Sequence, residues 1–285
     1  MRLNGRRLSN NVEDRRGGMS GRKIAGIGGI GGVLVMALIA WISGGNPLSV
    51  LTSGGMQSIG NIQQQDVSDD DETVTFVKQI LAGTEDVWTQ RFREIGREYE
   101  PPKLVMYTGS VQSGCGGATS SVGPFYCSAD RTIYVDLSFF RQMENEMSAG
   151  GDFAYAYVIA HEVGHHVQYL LGTLDEAHSA MAQTSQAEAN KISVRTELQA
   201  DYYAGVWANG DNAMFNSLEP GDIEEGLNAA SKIGDDYLQM QAQGYSVPET
   251  FNHGRSDQRV RWLKKGATLG TIAGGDTFSV PYSSL

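Results

Sequence analysis

Cysteine is nearly absent from this chain. Cys115 and Cys127 are the only two in 285 residues, and without a C-x-x-C spacing they make a poor zinc pair. Proline is scarce as well, at seven residues against 36 glycines, which points to flexible segments and excludes polyproline linkers. Basic side chains number 22 against 33 acidic ones, a net charge of −11. That balance excludes a large nucleic-acid footprint, which needs a basic face. Charged residues make up only 19 %, too few for a coiled coil, while 40 % apolar content excludes a wholly disordered chain. No internal repeat is visible, and no G-x-S-x-G is present to carry a serine nucleophile. The length suits one ordinary domain, or two, with appendages.

What charge there is lies unevenly. Residues 1–23 hold seven basic and two acidic side chains, and the remainder is strongly acidic. The next 19 residues, Ile24 to Ile42, carry no charge at all. That is close to the roughly 20 residues a helix needs to cross a bilayer, and the basic flank assigns its N-terminal end to the cytoplasm. A cleaved signal peptide and a Gly-rich linker are the alternatives. The basic region is long for a signal peptide, and no A-x-A site follows it. From Ser43 to Glu72 the chain is rich in Gly, Ser, Gln, Asn and Asp, a solvated spacer.

Periodic sequence follows. Val74, Val77 and Leu81 recur at helical spacing, and Trp88, Phe92, Ile95 and Tyr99 repeat it beyond a break at Gly83-Thr84. Strands are expected at 103–107, 125–127 and 132–136. From Asp152 onward the pattern is helical into the 260s, giving an α+β class. Cys115 and Cys127, 12 residues apart around a loop between strands, read as a disulfide in an oxidising space, worth about 2–3 kcal/mol.

The chemistry is concentrated in His161-Glu162-Val163-Gly164-His165. On a helix, imidazoles at i and i+4 project from one face and can share a metal ion. Glu162 lies about 100° further round, outside a ligand's position and suited to act as general base for a metal-activated water. The alternative is a surface histidine pair, but three of the chain's five histidines fall within six residues. His166 points away from a shared ion and reads as a bracing residue; His178 reads as surface. A catalytic zinc needs a third protein ligand. Glu197 and Asp201 are again at i and i+4, on a helix apolar nearly all round. Glu197 suits the third ligand and Asp201 a partner for the outer N–H of a ligand histidine. A plain solvated acidic face is the competing reading. For oxyanion stabilisation the candidates are His253, Arg255, Arg259, Tyr202 and Tyr203. His253 leads them, on a loop just before a helix; the alternative is that it braces the loop and Arg259 pairs with an acid.

His161-Glu162-Val163-Gly164-His165-His166, Glu197-Leu198-Gln199-Ala200-Asp201, Gly123-Pro124-Phe125-Tyr126-Cys127 and the opening Asn11-Val12-Glu13-Asp14-Arg15-Arg16 together resemble the bacterial putative neutral zinc metallopeptidase family. The resemblance implies a membrane-anchored zincin-like domain with a gluzincin-type site. His161, His165 and Glu197 would hold zinc, with Glu162 activating water. In the family a second cysteine pair occupies the positions of Tyr202 and Gly275. The expected organisation is a basic cytoplasmic tail over 1–23, a transmembrane helix over 24–42, a flexible linker over 43–72 and an extracytoplasmic zinc metallopeptidase domain over 73–285. The domain is expected to carry a small antiparallel sheet and the His-Glu-x-x-His helix. The expected partners are a peptide or protein substrate and, through 24–42, the lipid bilayer, with no nucleic acid. Two further readings stand beside the peptidase: a metal-stabilised scaffold that turns nothing over, and a zinc amidase acting on a cell-wall amide. An intact Glu162 argues against the scaffold, because a structural zinc site uses four protein ligands and needs no free carboxylate.

Overall fold

Apolar residues at three- and four-residue spacing become helix over most of the chain. A computed structural model describes residues 1–16 and 71–285, and among these the molecule is mostly helical with a small sheet. The elements begin with β1 (Val12–Asp14), α1 (Asp71–Glu94) and β2 (Lys103–Tyr107). A hairpin of β3 (Ser110–Ser113) and β4 (Gly116–Thr119) follows, then β5 (Phe125–Cys127), β6 (Thr132–Asp136) and α2 (Ser138–Asn145). The helical part comprises α3 (Asp152–Leu171), α4 (Thr173–Ala182), α5 (Gln186–Phe215), α6 (Asp222–Lys232), α7 (Asp235–Gln243) and α8 (Ser256–Leu269).

The sheet runs in the order β1-β2-β6-β5. β1 and β6 lie parallel to β2, with Val12 opposite Leu104 and Leu104 opposite Ile133, and only β5 runs antiparallel to β6. The sheet is therefore mixed, which corrects the expected antiparallel one. Alternation along the central strands divides their side chains between two cores. Leu104, Met106, Ile133 and Val135 join the main core under the helices. Val105, Tyr107 and Tyr134 face the other way, onto Cys127, Val111 and Phe125. Cys115 and Cys127 are bridged, with Cα atoms 5.8 Å apart, so the hairpin turn is tied to β5. Tyr202 and Gly275 are also neighbours, because a Cβ on Gly275 would stand 2.6 Å from the Tyr202 ring.

Gly83-Thr84 does not break α1. The helix is continuous for 24 residues. Gly83 answers to a distant contact, since a Cβ there would come within 2.6 Å of Asp211 Oδ1 and 2.7 Å of the Arg6 guanidinium. Thr84 returns its hydroxyl to the Leu81 carbonyl at 2.7 Å, a bond that helices accommodate.

The N-terminal arm is part of this fold. Beyond the β1–β2 pairing, the Ser9 amide donates to Lys78 O at 3.0 Å. Half-buried Arg6 and buried Asp211 form a two-pronged ion pair at 2.6 and 3.2 Å. Glu85 accepts from the Arg7 guanidinium and the Asn11 amide, each at 2.8 Å. A single-pass arrangement requires residues 1–23 and the 73–285 domain to be on opposite sides of a bilayer. The docked arm overturns that membrane location. Among the described residues no helix is long and apolar enough to cross a membrane. The 24–42 run lies outside the described residues, as does the 43–72 spacer apart from Asp71 and Glu72, which open α1.

Candidate metal centre

The centre forms where α3 crosses α5. α3 and the middle of α5 are largely buried, which sinks them into the core with His161, His165 and Glu197 facing one another. Gly164, inside the His-Glu-x-x-His motif, permits the crossing: a Cβ there would lie 2.8 Å from Ala200 O. Close approach of the backbones sets His161 and His165 against Glu197. His161 Nε2 lies 3.2 Å from Glu197 Oε2 and His165 Nε2 3.4 Å from Oε1. The three donor groups all fall within 4.8 Å of one another.

Each ring is held from behind. His161 Nδ1 donates to Asp201 Oδ1 at 2.9 Å, and His165 Nδ1 donates to Gln168 Oε1 at 2.9 Å. Both Nε2 atoms are thereby turned to the Glu197 carboxylate. Two imidazole lone pairs and a carboxylate converging on one point suit a cation. Donors about 2.0–2.1 Å from a tetrahedral ion stand roughly 3.3 Å from each other, matching the spacing here. The electrostatics favour positive charge as well. Burial works against protonation of His161, but Asp201 and Glu197 outweigh it and raise its pKa to about 10. Burial likewise works to raise the Glu197 carboxyl, yet the His165 and His161 rings hold it well below the usual carboxylate range.

Glu162 is buried beside this cluster and is not one of the converging donors. Desolvation lifts its pKa to about 7, with the Glu197 charge adding to the rise and the His161 ring and the Tyr126 backbone amide of β5 opposing it. Asp201 is fully buried and takes Tyr157 Oη at 2.6 Å and Arg259 at 2.9 and 3.0 Å as well as His161. Arg259 is thus committed to Asp201, the alternative recognised for it in the sequence. Arg255 is engaged by Asp257 at 2.8 Å, and Tyr202 donates to Thr271 O at 2.7 Å. Tyr203 is buried under Trp88.

His253 remains. It lies half-buried on the loop before α8, with Nδ1 3.0 Å from Asp235 Oδ1. Asp235 Oδ2 accepts three successive backbone N–H groups, from Asn252, His253 and Gly254, at 2.7–2.9 Å. One carboxylate therefore fixes both the loop and the ring. Desolvation opposes protonation of His253, but the Asp235 bond and the Glu197 charge raise its pKa above the ordinary histidine value.

His166 braces the structure, accepting from Tyr126 Oη at 2.9 Å and donating to Glu100 O at 2.7 Å. Those bonds tie α3 to β5. His178 is exposed on α4. Gln168, Asp235 and Tyr157 do not stand out in the sequence. A signal exists for Gln168 alone, a polar residue one turn beyond His165 on an apolar helix. A cavity of about 470 Å³ between α4, α5 and the C-terminal segment is lined by Ala177, Gln199, Tyr203, Ile272 and Phe278. It contains none of the converging donors and is separate from this centre.

On this helical scaffold His161 and His165 of one helix meet Glu197 of a second, a two-histidine, one-carboxylate set that could hold a metal ion. The chain belongs to the family described as "Putative neutral zinc metallopeptidase", whose model matches residues 1–278. It is 47 % identical over 285 residues to the Escherichia coli K12 protein named "Uncharacterized protein YpfJ", covering 98 % of this chain and 99 % of that one. It is 45 % identical over 191 residues to "Uncharacterized protein Mb2605" of Mycobacterium bovis and to "Uncharacterized protein Rv2575" of Mycobacterium tuberculosis, covering 64 % of each chain. No solved structure matches.

Proposed function

We propose that this chain is a zinc-dependent peptidase that hydrolyses peptide bonds, with His161, His165 and Glu197 holding the metal. The observation that carries the reading is the convergence of those three donors with Glu162 set beside them but outside the set. Zinc held there supplies Lewis acidity, polarising a carbonyl and making water a competent nucleophile near neutral pH. Glu162 takes the proton of the attacking water and delivers it to the leaving amine. A carboxyl whose pKa is lifted to about 7 is matched to both halves of that task. His253, its Nδ1 engaged by Asp235, is the residue we assign to stabilise the oxyanion that develops on the carbonyl oxygen. Asp201 keeps His161 in the tautomer a ligand requires. β5 favours a peptide as the substrate. It is the edge strand of its sheet, joined to α3 through Tyr126 and His166, and an extended chain can pair with such an edge.

The test is metal analysis and peptide cleavage on the full chain. Wild type should hold one zinc, Glu197→Ala should hold little, and Glu162→Gln should retain the metal while losing about 10²–10⁴-fold in rate. Loss of zinc from Glu162→Gln would contradict its role as base.

A further inference from the structure

A line of side-chain amides runs from His165 to the C-terminal segment. Gln168 is completely buried, one turn beyond His165 on α3. Its Nε2 donates to Thr196 O at 2.7 Å and to Gln199 Oε1 at 3.0 Å. A backbone carbonyl can only accept, so the Thr196 contact fixes which end of the Gln168 amide is the NH₂. Oε1 is then left facing His165 Nδ1 at 2.9 Å, where it can only accept. Gln199, also buried, completes the line by donating Nε2 to Gly275 O at 2.8 Å. Thr196 directly precedes Glu197, so Gln168 holds the ring of one donor and the backbone beside another.

Resting on the metal-site reading above, we infer that Gln168 and Gln199 are positioning residues for the centre. Gln168 locks His165 in the Nδ1–H tautomer that turns its Nε2 lone pair toward Glu197. Gln199, anchored on Gly275, locks Gln168. The C-terminal segment thereby takes part in setting metal affinity although none of its side chains is a donor. A neutral amide suits this place, since another carboxylate there would add negative charge beside Glu197 and Asp201.

The experiment is zinc competition against a chromophoric chelator on the full-length metal-free protein, with thermal melting as the check on folding. Gln168→Met preserves length and burial but removes the acceptor, and should weaken zinc binding about 10- to 100-fold. Gln199→Met leaves the Thr196 contact in place and should give an intermediate loss. Long-range ¹H–¹⁵N correlation spectra of the metal-free protein should show the His165 Nδ1–H tautomer in wild type and its loss in Gln168→Met. Wild-type affinity in a folded Gln168→Met, or a Gln168→Met spectrum that keeps the His165 Nδ1–H tautomer, would overturn the inference. Should Gln168→Met fail to fold, unchanged affinity in Gln199→Met overturns it. A wild-type chain that binds no zinc is a different failure, of the metal-site reading itself.

Discussion

His161 and His165 stand one helical turn apart and face the same carboxylate, yet the groups behind them differ in charge. Behind His161 is Asp201, buried with Arg259 across from it and Tyr157 alongside. Behind His165 is a pair of uncharged amides. A buried ion pair is costly to halve, because removing one partner strands the other's charge away from water. A buried amide costs less to remove, since what it strands is dipolar. The two halves of the cluster should therefore break differently, the first at a larger cost to the fold than the second.

Four substitutions probe that contrast, each followed by urea unfolding of the metal-free protein. Asp201→Ala leaves the Arg259 guanidinium buried and unpaired and should cost about 3–5 kcal/mol. A loss below about 1 kcal/mol would show that Arg259 finds water or another partner, ending the distinction. Gln168→Met should cost about 1–3 kcal/mol, for an unpaired His165 N–H and Thr196 carbonyl. Equality with Asp201→Ala would erase the comparison. Tyr157→Phe removes one of several donors to Asp201 and should cost about 0.5–1.5 kcal/mol, with zinc stoichiometry unchanged. Arg255→Ala, in the exposed pair with Asp257, should change stability by less than about 1 kcal/mol. A larger effect there would mean that the His253 loop depends on Arg255 as well as on Asp235.

That these side chains gather was legible in the sequence because both motifs lie on helices, where a step of 100° per residue fixes which side chains share a face. His161, His165, Glu197 and Asp201 needed only that geometry and the assumption that the two helices meet. Their meeting depends on Gly164, whose part is invisible until Ala200 is seen against it. Asp235 escaped for another reason. Its partners lie 17 to 19 residues away on an irregular loop, and no local pattern links them. The sheet was half legible: β2, β5 and β6 declare themselves as short β-branched and aromatic runs, but strand direction is set by long-range contacts. β1 has three residues, too few for periodicity, and sits in a basic block whose charge pointed elsewhere. Gly83 shows the converse error, a residue read as a local break that exists to admit Arg6 and Asp211.

The docking of β1 also decides how the sheet ends. β2 is an apolar strand, exposed only at Lys103, and if bare it would offer a row of unpaired backbone groups to any extended chain. The chain covers that row with its own Val12–Asp14 and so finishes the sheet on a strand of three residues bearing Glu13 and Asp14, closed off by Arg15 and Arg16. Short, charged edges are how natural sheets discourage self-association. A fragment beginning at Asp71 would lose that guard and strand Asp211 in the core, inviting one copy to complete the sheet of another.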